Sequence, residues 1–297
     1  MNRHELVDVG TVRLSRLLVR EGKLFGRSVD APPLVDAATD AEATVDDVAV
    51  AGRHEVAVDT PVGSFEAAYM PWQWLGPDYP TVVYHHGSGE RPFDFGRFGS
   101  NSFRGLFVAT DDDLPVNVVA VRAPFHGGSA AEYVRAMGDL SSFVGMVAAS
   151  TALFEAITQR AQERTDRPVV LAGTSLGGFA ANLHRACFDT ADRYVPLLAG
   201  AAFGDLFVHS AYRHLVADAA LGQPSALRER LDFGTAFRDV AADDCSPLLA
   251  RHDRIVEYDR QRPSYAGMTL TVIDKGHVTG ALASDALRTH VLNALPS

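Results

Sequence analysis

Lysine is nearly missing from this chain of 297 residues: Lys23 and Lys275 stand against 25 arginines. Acidic side chains outnumber basic ones 37 to 27, leaving a formal charge of −10. A surface of that sign repels phosphate backbones on average, so nucleic acid is not the expected partner. A GC-rich coding sequence accounts for arginine over lysine, and a salt-rich cytoplasm favours an acidic surface poor in lysine; neither bears on chemistry. Cysteine is as scarce. Cys187 and Cys245 are too few for a disulfide scaffold, and no CxxC spacing points to metal or redox work. Long hydrophobic runs are lacking too. The nearly apolar stretch from Val144 to Ile157 is too short, and too rich in Ser, Thr and Gly, to span a bilayer. The opening MNRHELVDVG carries acids and no apolar signal core. The expectation is a soluble, cytoplasmic protein with no stable membrane insertion. What is present is ordinary globular composition, 47% hydrophobic and 22% charged. That is enough for one large α/β domain with an insertion.

Residues 1–53 read as an excursion before the core. Val12 to Val19 has one apolar side and suits a helix, and residues 28–48 hold Pro32-Pro33 among many Asp and Ala. From residue 54 the pattern sharpens. HEVAVDT (54–60) and FEAAYMP (65–71), joined by a turn at 61–64, predict an antiparallel hairpin. TVVYHHG (81–87), NVVAVRAP (117–124), RPVVLAGTS (167–175) and YVPLLAGAA (194–202) are apolar without alternation, as in strands buried on both faces. Helical stretches at about 130–162 and 177–189 lie between them, so βαβ units and a doubly wound sheet follow. Residues 203–240 are helical in composition and break the rhythm, which marks a cap over the sheet edge. PLLARHD (247–253), TLTVIDKGH (269–277) and a last helix at about 281–294 resume it.

The chemistry centres on Gly173-Thr174-Ser175-Leu176-Gly177, followed by Gly178. This G-x-S-x-G string lies between an apolar strand and a helix, the context in which it makes a nucleophile. A serine on so tight a turn is strained, and side chains two residues before and after it would collide, hence Gly173 and Gly177. Gly178 lets the helix approach the sheet. The helix N-terminus adds partial positive charge near the reacting oxygen. Serine needs a base, and His277 is the histidine that follows a strand on a loop, Lys275-Gly276-His277. His184, His209, His214, His252 and His290 sit on helices, in the cap or beside the acid. The acid should come from the loop after the preceding strand, which selects Asp253, with Asp205 as the alternative. Two backbone N–H donors are needed for an oxyanion. Leu176 supplies one, and Ser88 in the loop Tyr84-His85-His86-Gly87-Ser88-Gly89 the other, with His86 ordering the loop.

The order of these parts resembles the α/β-hydrolase superfamily over about residues 54–297. The resemblance rests on His86-Gly87, Ala123-Pro124-Phe125-His126-Gly127-Gly128-Ser129, the Ser175 turn, Asp253 and Gly276-His277. It implies an eight-stranded, mostly parallel sheet, no cofactor and no metal, a structural role for His126, and acyl transfer to water. The layout of ERPFDFGRF after the Ser88 loop and of APFHG later also resembles the poorly characterised ABHD-type branch. The leading expectation is a serine esterase acting on a small-molecule ester. A peptidase, thioesterase or acyltransferase with the same three residues, and a hydrolase-fold binding protein without turnover, remain as alternatives. The cap would offer an acyl or aromatic pocket, although Phe203, Leu206, Phe207, Tyr212 and Leu215 suit plain helix packing more readily.

Overall fold

A computed structural model of the chain describes residues 2–18, 22–96, 99–110 and 113–295. Among the described residues, nine strands form one sheet: β1 (Glu42–Ala43), β2 (His54–Thr60), β3 (Gly63–Gln73), β4 (Thr81–His85), β5 (Asn117–Arg122), β6 (Val169–Thr174), β7 (Arg193–Leu197), β8 (Leu248–Ala250) and β9 (Thr271–Ile273). Their spatial order is β1-β2-β3-β5-β4-β6-β7-β8-β9. β2 and β3 make the expected hairpin, β3 joins β5 antiparallel, and every pairing from β5 through β9 is parallel. The sheet is thus mostly parallel and doubly wound. It has one strand more than the expected eight, because Glu42 and Ala43 pair with Asp59 and Val58 at the edge.

The helices are α1 (Arg3–Leu18), α2 (Leu34–Thr39), α3 (Ala130–Ala136), α4 (Leu140–Gln162), α5 (Leu176–Cys187), α6 (Phe203–Val208), α7 (Asp218–Leu221), α8 (Pro224–Leu231), α9 (Gly234–Arg238), α10 (Tyr258–Gln261), α11 (His277–Ala281) and α12 (Ser284–Asn293). The unalternated strands face apolar layers on both sides. In β5, Val119 and Val121 enter one core while Val118 and Ala120 enter the other. The larger core contains α4 and α5, and the smaller one contains Phe103, Leu106 and Phe107 with Leu287 and Val291 of α12. By length and composition α4 could cross a membrane, but 78% of its apolar window is buried, so it is a core helix.

Several boundaries differ from the sequence reading. α1 begins at Arg3, well before Val12, because the Asn2 side chain accepts the N–H groups of His4 and Glu5 and caps it; Val19 lies outside the described residues. The helix expected at 130–162 is two. It breaks at Gly138, where residues 25–28 bond to Met137, Gly138 and Leu140, and where a Cβ would stand 2.8 Å from the Arg27 guanidinium. The segment 28–48 is not loose: Leu34, Ala37, Ala38, Val45 and Val48 are buried in the larger core. Residues 203–240 hold α6 to α9 and a 3₁₀ turn at Ala211–Leu215.

The topology places the site. From β4 the chain goes to β5 on one side and then crosses to β6 on the other. The loops leaving β4 and β6 therefore diverge at a crevice beyond the carboxyl ends of the strands, where such sheets bind ligands.

Candidate active site

Ser175 stands on that crevice between β6 and α5, with φ 54° and ψ −111°. A non-glycine residue in this region stores about 1–3 kcal/mol of strain. The turn is held by bonds on every side. Ser175 N–H donates to Leu197 O at 2.8 Å, Phe179 N–H to Ser175 O at 2.9 Å, and Gly177 N–H to His86 O at 3.1 Å. The glycines are sterically required. A Cβ on Gly173 would lie 2.3 Å from the Gly177 carbonyl carbon, and one on Gly177 would lie 2.2 Å from His85 O. One on Gly178 would lie 2.7 Å from Ala199 Cβ, so its bareness sets the helix against the sheet.

The structure brings Ser175, His277 and Asp253 into one line. His277 Nε2 is 3.0 Å from Ser175 Oγ, and His277 Nδ1 is 2.7 Å from Asp253 Oδ2. The carboxylate partner makes Nδ1 the protonated nitrogen and leaves Nε2 bare toward the serine hydroxyl. The other oxygen of Asp253 accepts N–H from Ile255 and Val256, both at 2.7 Å. Burial opposes charge on both partners. On His277 burial is outweighed by the Asp253 carboxylate, which holds the imidazole pKa above 6.5. On Asp253 burial prevails over the imidazole and holds the carboxyl above its ordinary range.

His277 is not on a loop; it opens α11, with Gly276 as the N-cap. Gly276 is extended, with φ −94° and ψ −172°. Its bareness admits α1: a Cβ there would lie 2.8 Å from Asp8 Oδ2 and 3.0 Å from His4 O. Asp205 is engaged elsewhere, bound to Arg228 Nε at 2.8 Å and Arg260 Nη1 at 3.3 Å. Four of the other candidate bases have partners elsewhere: His184 with Glu155 and Tyr194, His209 with Arg228, His252 with Asp274, and His290 with Ser246 O.

Leu176 opens α5, so its N–H has no acceptor inside the helix. Ser88 faces the same small cavity as Ser175 and Leu176, and its hydroxyl lies 2.8 Å from Tyr133 Oη. Two buried histidines shape the Ser88 loop. His86 Nδ1–H donates to Gly87 O at 2.6 Å, while Nε2 accepts Ala123 N–H at 3.0 Å. His126 Nδ1–H donates to Pro124 O at 2.9 Å, while Nε2 accepts Gly89 N–H at 3.1 Å. Each ring must be neutral to make both bonds. Burial agrees, pushing His86 well below 6.5 and His126 down to about 4.

The cavity beside Ser175 is small and aromatic. It holds about 30 Å³ and is walled by Phe143, Phe179, Phe203, Leu206, Phe207 and Ile255. Cap residues thus line the site as well as pack. A wider trough of about 370 Å³ adjoins it across Ser88, Tyr133 and Tyr212, and runs past Phe125, Leu215 and Ser15 of α1. A larger hollow of about 570 Å³ lies around Asp232, Arg238 and Arg260, and none of the three aligned residues lines it. The sequence reading passed over Phe143, Phe179, Tyr133 and Asp8. The one available signal for Asp8 was spacing: His4, Asp8 and Val12 form a single helical stripe, and all three are buried.

No protein-family model matches the chain, and no curated protein does. Solved structures match in fold. Acetyl xylan esterase 1 from Thermoanaerobacterium sp. JW/SL YS485 matches with a TM-score of 0.55 at 14% identity, over 94% of this chain and 98% of that one. The acetyl xylan esterase from Paenibacillus sp. R4 matches at 0.52 and 14%, over 100% of this chain and 96% of that one. The acylaminoacyl peptidase of Pyrococcus horikoshii matches at 0.50 and 14%, over 78% of this chain but only 38% of that one. The chain spans well under half the length of that peptidase. The fold is the α/β-hydrolase fold. These likenesses do not reach the ABHD-type branch.

Proposed function

We propose that this protein is a serine hydrolase that cleaves carboxylic esters of a short acyl group. The observation that carries the reading is the unbroken hydrogen-bonded line from Ser175 Oγ through His277 to Asp253, on a strained strand-to-helix turn. His277 Nε2 takes the Ser175 hydroxyl proton as Oγ attacks the ester carbonyl carbon. The Leu176 and Ser88 amides receive the oxyanion, and α5 adds its dipole. Collapse breaks the bond to the alcohol oxygen, which takes the proton from His277 and leaves an acyl-Ser175 ester. Water then repeats the sequence, giving its proton to His277 and releasing the acid. Asp253 keeps the imidazole in the right tautomer and favours the imidazolium. No cofactor enters this scheme.

The cavities support a small substrate. The 30 Å³ space touching Ser175 suits an acetyl-sized acyl group, and the adjoining trough suits the alcohol part of a small-molecule ester. Two of the fold relatives are named acetyl xylan esterases, which accords with a small acyl group. A cytoplasmic location belongs to the same proposal, and the separate thiols Cys187 and Cys245 support it. The test is active-site labelling. A fluorophosphonate should mark Ser175 in the folded protein, and Ser175→Ala should lose labelling and roughly three or more decades of acetate-ester turnover. Undiminished turnover in Ser175→Ala would end the reading.

A further inference from the structure

We propose that Asp8, contributed by α1, is a positioning residue that fastens the base-bearing helix to the acid-bearing loop. Its carboxylate is fully buried and faces three backbone N–H groups. Oδ2 accepts from His277 N–H at 2.8 Å and from Arg254 N–H at 3.0 Å, and Oδ1 accepts from Val278 N–H at 2.9 Å. These donors are the residue bearing the imidazole, its successor in α11, and the residue directly after Asp253. One side chain therefore ties down both ends of the His277–Asp253 bond. The neighbouring turn of α1 reinforces it. His4 Nδ1 is 2.8 Å from Thr279 Oγ1, which in turn accepts Gly276 N–H at 3.0 Å. Gly276 makes the approach possible by having no Cβ to strike the Asp8 carboxylate.

The arrangement has a geometric and an electrostatic consequence. A carboxylate bonded to main-chain N–H groups has no soft partner, so the backbone that carries the imidazole cannot drift from Ser175 without breaking charge-assisted bonds. The charged groups facing His277 are Asp253, Asp8 and Glu90, and all three favour the imidazolium that forms as Ser175 loses its proton. Asp8 acts through His277 and touches neither the cavity nor Ser175.

Asp8→Asn tests this. It preserves size but turns one acceptor into a donor aimed at N–H groups. Fluorophosphonate labelling of Ser175 should slow about ten- to hundredfold, the scale expected for a small misplacement of a catalytic group. For an acetate ester kcat should fall with KM little changed. The His277 titration followed by NMR should move to lower pH. A merely structural role would lower activity without moving that titration. Wild-type hydrogen exchange gives a second measurement that needs no variant to fold: the amides of Arg254, His277 and Val278 should be strongly protected. Unchanged labelling and titration in Asp8→Asn, or rapid exchange of those three amides, would overturn the proposal. It rests on the catalytic reading above for the rates alone. Protected amides and a shifted titration in a protein that never labels would refute that reading and leave the Asp8 tie standing.

Discussion

Replacing Phe207 by alanine should change which acyl chains this protein accepts. The cavity at Ser175 holds about 30 Å³. A water-sized sphere needs roughly 10–15 Å³, so there is space for an acetyl methyl and little more. Given room, each further methylene would contribute about 0.8 kcal/mol of binding. Without room, it forces aromatic side chains out of their packing at about 1–3 kcal/mol. A butyrate ester should therefore have a kcat/KM about five- to hundredfold below the acetate, each corrected for its reactivity in water. Phe207 packs edge-on against Phe25 at 5.0 Å and Phe143 at 5.1 Å, and its removal opens the cavity toward both. Two accommodated methylenes should then raise butyrate relative to acetate by about tenfold. The truncation costs about 3–5 kcal/mol of stability, within the roughly 5–15 kcal/mol of a typical domain. Folded fraction is checked by circular dichroism, and rates come from p-nitrophenyl esters of increasing chain length. Equal use of acetate and butyrate by the wild type, or an unchanged ratio in Phe207→Ala, would refute the pocket argument.

His277 must be neutral to accept the serine proton, and its pKa is held above 6.5, so acetate-ester kcat/KM should rise with pH through an inflection above 6.5. Asp253→Asn should move that inflection down and lower the plateau by roughly three to four decades; an inflection that stays put would contradict the pairing. His126 is neutral when folded, with a pKa of about 4 against 6.5 when exposed, so unfolding takes up its proton between those values. The stability advantage of wild type over His126→Gln, from urea titrations, should shrink as pH falls from about 6.5 to 4, by at most about 1.4 kcal/mol per pH unit; a constant advantage would show that His126 is not held neutral. Gly173→Ala drives a Cβ to 2.3 Å from backbone that cannot yield, so melting should fall by an amount equivalent to roughly 3 kcal/mol and Ser175 labelling should be lost. Unchanged melting and labelling would show that the turn is less crowded than described.

The sequence is most readable where local sterics dictate residue type. Ser175 is visible because its turn tolerates only bare positions two residues away on either side, and the strands because burial on both faces removes alternation. His277 and Asp253 emerge from chain order and elimination. The rest depends on contacts across the chain. Two residues suffice for β1 because β2 has an open edge, which no periodicity records. The break at Gly138 is imposed by the strip at 25–28, and the aromatic wall of the cavity gathers rings from α4, α5 and α6. The stripe of His4, Asp8 and Val12 marks a buried face of α1, but the partners of Asp8 lie 246 to 270 positions away and leave no local sign. Gly276 illustrates the point: a glycine before His277 reads as part of a loop, whereas its bareness leaves room for the side chain of Asp8.

The bond from Asp8 to His277 spans 269 positions, whereas the bond from His277 to Ser175 spans 102 and the bond from His277 to Asp253 only 24. Loop-closure entropy grows with separation, so of the three bonds the one from Asp8 costs the chain the most freedom to close. The nucleophile can sit on its finished turn while its base is still unmoored. A covalent probe of Ser175 therefore works as a clock for folding: the moment it begins to react marks the joining of distant parts of the chain.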